Sequence, residues 1–170
     1  MNYSQTGLSL TKHYETLHDG DLSKIGLQPK KDPAGIWTVA YGHALFFMGK
    51  PVKDISIVQK VFPHLLDMDI PGAEKLLQNE DIPHVENLVR TKLKVPVLQW
   101  QYDALIDHTY NCGYSETLYS LVNSKAPLDK INDWFLNHYI TVDGKVLKGL
   151  QYRRKSEWIL YSTGKLIFYN

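Results

Sequence analysis

From about residue 54 almost to the end of the chain, apolar residues recur three and four apart, and no other feature constrains the fold as strongly. "DISIVQKVFPHLL", "IPGAEKLLQNED", "PHVENLVRTKL" and "VPVLQWQYDALIDHTYN" each present one apolar helical face. "SETLYSLVN", "PLDKINDWFLNHYI" and "LQYRRKSEWILYSTG" complete the series. Pro71, Pro83 and Pro96 stand where first turns are expected, a place where a missing N–H does no harm. Leu10, Tyr14 and Leu17 predict one earlier helix, capped by Ser9 and stopped at Gly20. Only residues 18–45 read as extended and turn-rich, with "KIGLQP" and "GIWTVAY" as strand candidates flanking a "DPAG" turn. The pattern predicts a mostly helical α+β chain whose small antiparallel sheet is confined to the N-terminal third.

At 170 residues the chain is long enough to bury a sizeable core, and 44% hydrophobic with 22% charged residues is an ordinary globular balance. Nineteen basic against eighteen acidic side chains give a formal charge of +1, which offers no electrostatic ground for nucleic acid as a partner. Cys112 is the single cysteine, so no internal disulfide forms, and it is expected to be a buried, inert thiol. "MNYSQTGLSL" has neither the basic segment nor the apolar run of a signal peptide, and no stretch reaches a membrane span. The expectation is a protein made in the cytoplasm, monomeric, without stable membrane association.

Residues 32 to 45, "DPAGIWTVAYGHAL", place an acid, a threonine, a tyrosine and a histidine along one short strand. A strand that only packs has no need of Asp32, Thr38, Tyr41 and His43. Glu15 stands shortly before, near the end of the first helix. Two carboxylates from different elements, facing each other across a cleft, are what glycoside hydrolysis requires: one donates a proton and the other activates water. Spacing alone favours the plainer alternative, a helix-surface glutamate and a turn aspartate. "HDGD" holds His18, Asp19 and Asp21, but three ligands on a short loop without zinc spacing do not make a metal site. Trp37, Trp100, Tyr102, Tyr110 and Trp134 read as core aromatics.

"HYETLHDGD" followed by "DPAGIWTVAYGHAL" resembles the signature of the phage-type lysozymes, the endolysin muramidases of glycoside hydrolase family 24. "QYDALIDHTYNCG" (101–113) and "GKVLKGLQYRRKSEWILY" (144–161) are similar to that family's central and C-terminal segments, so three blocks in order cover the chain nearly end to end. The resemblance implies a lysozyme-like fold over residues 1–170, with a sheet-containing lobe at about 18–65 and a helical lobe from the remainder, including the first helix. It implies Glu15 as general acid, whose proton must survive near neutral pH, with Asp32 and the Thr38 hydroxyl holding the attacking water. Gln101 and Tyr41 would meet the sugar, and His43 and Asn111 would brace the site. One of Arg153 and Arg154 would reach the glutamate, the alternative for the pair being a solvated helix face. The implied partner is bacterial peptidoglycan, the reaction needs no cofactor, and delivery to the wall would depend on a holin or another system.

Two departures stand out. Sixteen residues separate Glu15 from Asp32, more than is usual in the family, so Asp19 and Asp21 compete for the second carboxylate's role. Thr16 and Ala40 occupy positions where glycine is common. Two other classes of protein compete with a hydrolase: a non-catalytic peptidoglycan-binding or virion module of the same fold, and a helical nucleic-acid binder. The intact Glu15, Asp32 and Thr38 speak against the first, and the near-zero net charge against the second.

Overall fold

The computed structural model describes residues 1–170 except Thr16. The chain begins with helix α1 (Gln5–Tyr14) and then forms short strands β1 (Lys30–Lys31), β2 (Trp37–Val39) and β3 (His43–Ala44). A hairpin, β4 (Phe46–Phe47) and β5 (Lys50–Pro51), leads into α2 (Ile55–Val61) and α3 (Ile70–Leu76). Helices α4 (Ile82–Lys92), α5 (Gln99–Cys112), α6 (Glu116–Asn123) and α7 (Leu128–Asn137) follow. A second hairpin, β6 (Thr141–Val142) and β7 (Lys145–Val146), precedes the last helix, α8 (Lys148–Thr163). The fold class is the mostly helical α+β arrangement that the periodicity indicates.

The chain divides into two compact units, one of residues 1–14 with 82–170 and one of residues 15–81. In the first, α1, α4 and α8 pack on α5, and α7 packs on α8. Tyr102 to Thr109 of α5 are all buried, so that helix is enclosed on every side. Its polar residues must therefore find partners inside the protein. Asp103 accepts from the Ser4 N–H at 3.0 Å, and Asp107 accepts from the Thr11 hydroxyl at 2.6 Å. These bonds tie the N-terminal helix to the centre of the unit.

In the second unit, β1, β2 and β3 form an antiparallel sheet with Thr38 opposite both Lys30 and Ala44. The segment before it is not a strand. Residues 19–29 form a loop held by the Gly20 N–H on the Gln28 carbonyl (2.9 Å) and the Leu27 N–H on the Met68 carbonyl (2.7 Å). The Gln28 carboxamide donates to Asp67 at 2.6 Å. A Cβ on Gly20 would come within 2.1 Å of the Pro29 carbonyl oxygen, so the loop closes only around glycine there.

Helix α3 does not stop before α4. It runs through a π-helical segment, Leu77–Asp81, directly into Ile82. Pro83, expected to open a new helix, lies one residue inside α4 and supplies no N–H to the preceding turn. A widened turn accommodates that loss. Other expectations are also corrected. Helix α1 begins at Gln5, with the Ser4 hydroxyl accepting from the Thr6 and Gly7 N–H groups at 3.2 and 3.4 Å. Ser9 is mid-helix and donates to the Gln5 carbonyl, and the helix ends at Tyr14, before Leu17 and well before Gly20. Strand structure is not confined to the N-terminal third, because β6 and β7 pair near the C-terminus. Tyr102 and Trp134 are core residues, but Trp100 is exposed and lies against Gly164.

Candidate active site

Asp32 is fixed by its own turn. Its N–H donates to the Ile36 carbonyl at 2.9 Å, its carbonyl accepts from Gly35, and its Oδ1 accepts from the Ile36 N–H at 2.8 Å. Gly35 takes φ +77°, which the turn requires and glycine allows. The arrangement orients a half-buried carboxylate through backbone groups rather than through a cation. Thr38 follows on β2, is buried, and donates its hydroxyl to the Ile36 carbonyl at 3.3 Å. Successive strand residues point to opposite faces, so Trp37 faces away from Thr38. Trp37 instead meets the Lys31 ammonium, 5.3 Å from its ring centre, and lines a recess of about 490 Å³ with the 20–29 loop.

Glu15 is half-buried in a bend just beyond α1. His18, weighed in the sequence only as a metal ligand, takes a different place here. The His18 N–H donates to the Ala40 carbonyl at 2.8 Å, and its imidazole feels the charges of both Glu15 and Asp32. Burial nonetheless holds the His18 pKa below its ordinary value, with Lys30 adding to that effect against the two acids. Its Nδ1 is buried without a hydrogen-bond partner. No periodicity or motif announces this position, because it depends on a single bridge between residues 18 and 40.

That bridge also explains Ala40. It is buried at φ +52°, in the left-handed region that glycine enters without strain. The position prefers glycine for a backbone reason. Thr16, the other position where glycine is common, lies outside the described residues.

Asp19 and Asp21 serve the loop. Asp19 Oδ1 accepts from the Asp21 and Gln28 N–H groups, each at 3.2 Å. Asp21 accepts from the Ser23 hydroxyl at 2.6 Å, and Ser23 holds its carboxyl below the usual range. Tyr41 is buried. His43 on β3 meets Asp81 at 2.7 Å, and that hydrogen bond raises its pKa. Among the described residues, no group of three or more His, Cys, Asp or Glu side chains could hold a metal.

The remaining candidates belong to the helical unit. Gln101 Oε1 accepts from the Leu98 N–H at 2.9 Å, closing the first turn of α5. Asn111 Oδ1 accepts from Arg154 at 2.9 Å at the other end of that helix. The arginine pair is not a solvated helix face. Arg153 grips Asp107 with Nε and Nη2, both at 3.0 Å, and Arg154 reaches Glu157 at 2.5 Å and also meets Cys112. Both guanidinium groups are buried. His108 completes the cluster through Nδ1 on Glu157 at 2.9 Å, and burial keeps its pKa well below the ordinary imidazole value. Cys112 is half-buried, not enclosed, and burial raises its thiol pKa.

A small sheet unit bearing the acid–turn–threonine element, together with a helical unit built around one enclosed helix, is the architecture of a lysozyme-fold protein. An endolysin from Escherichia coli O157:H7 phage FAHEc1 has the same fold at TM-score 0.72 and 27% identity, covering 98% of this chain and 97% of its own. The sequence profile described as "Phage lysozyme" matches residues 23–157, and the chain belongs to that family. The endolysin of Bacillus phage B103 is 31% identical over 169 residues, covering 97% of this chain and 56% of that protein. The endolysin of Acyrthosiphon pisum secondary endosymbiont phage 1 is 29% identical over 169 residues, covering 96% of this chain and 99% of its own. The chain therefore spans little more than half of the first relative and nearly all of the second. Glu15 precedes the span matched by the family profile.

Proposed function

We propose that this chain is a muramidase that cleaves the β-1,4 bond between N-acetylmuramic acid and N-acetylglucosamine in bacterial peptidoglycan. Glu15 donates a proton to the leaving oxygen, and Asp32 with Thr38 positions the attacking water. The observation that carries the reading is the Asp32 turn, whose carboxylate is oriented by the Ile36 N–H and is followed on β2 by the Thr38 hydroxyl, in a chain of the phage lysozyme family. Asp32 is the second acid rather than Asp21, because Asp21 is committed to Ser23 and Lys24 in an exposed loop.

A water held between two carboxylates inverts the anomeric carbon, so the first product is the α anomer. No cofactor enters the reaction. As a phage-type endolysin the protein acts on the wall after release from the cytoplasm, by a holin or another delivery system, and works as a monomer. The test is incubation with purified peptidoglycan, scoring new reducing ends against new free amines. Reducing ends support glycan cleavage, whereas amines in their absence would mean amidase or peptidase chemistry. A β anomer released first would refute the water-mediated step while leaving glycan cleavage intact.

A further inference from the structure

The hairpin of β4 and β5 carries a feature that neither folding nor catalysis uses. Its two-residue turn is Met48–Gly49, with φ +50° and +73°, the positive pair that tight hairpins of this kind require. Asn-Gly or Asp-Gly is the favoured sequence there, because asparagine and aspartate tolerate left-handed backbone and methionine does not. Met48 takes that strain and receives no packing in return: it is 85% exposed, the side chain at the tip of the hairpin. Phe46 and Phe47, directly before it, are 54% and 40% exposed. A recess of about 390 Å³ beside Phe47 and Met48 extends the apolar surface to Pro51, Val52 and Ile57.

Lysines outnumber acids around this tip. Lys50 lies on β5 opposite Phe47, and Lys53 follows two residues after that strand. Lys31 and Lys60 lie close enough to act on Asp54, whose carboxyl is held low chiefly by its hydrogen bonds from Ser56. All four lysines are exposed, and Asp54 already caps α2. The patch is thus apolar at its point and cationic at its base.

We propose that the Phe46–Pro51 hairpin is a peripheral membrane-docking element, inserting Phe46, Phe47 and Met48 into the interface of an anionic bilayer while the lysines meet phosphate headgroups. The chemistry is that of interfacial binding, in which apolar side chains enter the headgroup boundary and basic residues hold the anionic lipids. A protein partner fits less well. A stable interface needs roughly 800 Å² from each side, and three side chains on a convex tip cannot supply it. The contact is reversible and separate from the proposed glycan chemistry, because none of these residues belongs to the site around Glu15 and Asp32.

The test is flotation of the purified chain with vesicles containing phosphatidylglycerol and with vesicles of phosphatidylcholine alone, at low and moderate salt. The expected result is binding to the anionic vesicles only, weakened by salt. Met48→Asn gives the turn its favoured Asn-Gly sequence, so it should keep or raise the melting temperature while weakening vesicle binding by about tenfold. Lys50→Glu with Lys53→Glu should weaken it further without slowing cleavage of soluble glycan fragments. Failure of the wild-type chain to bind anionic vesicles would overturn the proposal, whatever its glycan-cleaving activity. Equal binding by Met48→Asn, or concentration-dependent self-association that the same substitution abolishes, would overturn it too.

Discussion

The two units of this protein treat carboxylates in opposite ways. In the helical unit Asp107 and Glu157 are fully enclosed, and each is matched to a buried arginine. In the unit of residues 15–81, Asp32 is half-buried and its carboxylate is oriented by the Ile36 N–H of its own turn. Burial raises the pKa of both carboxyls against the pull of the arginines, and the clamped geometry helps specify one packing. A carboxylate held by a backbone turn keeps an oxygen for chemistry. The same residue type is structural in one region and, in the proposed mechanism, reactive in the other.

The sharpest way to break this contrast is Glu15→Gln. The amide keeps the shape but has no acidic proton, so turnover on peptidoglycan should fall by about 10²–10⁴ while thermal stability stays near wild type. Retention of more than half the activity would remove Glu15 from the mechanism. Arg153→Ala should do the reverse and act first on stability. It leaves Asp107 buried without its cation, which costs about 3–5 kcal/mol in urea unfolding. A loss below 1 kcal/mol, as at an exposed pair, would mean that the cluster is not closed to water.

A smaller effect separates the units by pH. The folded-state pKa of His43 is raised by Asp81, so the bridge contributes fully below the ordinary imidazole value of 6.5 and is lost as pH rises through the raised value. Asp81→Asn should therefore cost most stability just below pH 6.5, and the gap to wild type should narrow in alkaline buffer. A gap independent of pH would show that His43 does not titrate there. The smallest effect is a gain. Ala40→Gly relieves a positive φ and should add about 0.5–1 kcal/mol, read as a raised melting temperature.

Much of the helical architecture was legible because periodicity is a local signal, although Pro96 lies before α5 rather than in its first turn. What escaped was set by distance along the chain or by overlooked turn chemistry. Asp107, which Arg153 grips, lies on α5, and no spacing rule joins the two, whereas Glu157 is three residues from Arg154 on α8. The late hairpin announces itself in "TVDGKV", where Asp143–Gly144 supplies the positive φ pair, yet the helical pattern around it dominated the reading. At the candidate site, local turn chemistry in "DPAGIWT" marked the turn, and the family resemblance singled out Asp32 and Thr38. The place of His18 was not legible, because it depends on Ala40.

The discontinuity of the helical unit sets a timetable for the chain. Residues 15–81 are contiguous and can collapse as soon as they leave the ribosome. Helix α1 precedes that unit in the chain yet must wait, because Tyr3 bonds to Glu86, Ser4 to Asp103 and Thr11 to Asp107. Each of these contacts closes a loop of more than eighty residues, the kind of pairing that forms late. Pulse-labelled hydrogen exchange during refolding should accordingly protect amides of 37–39 before those of 8–14. Simultaneous protection would mean that the two units fold as one. Residues 1–14 precede that unit in the chain and find their place after it.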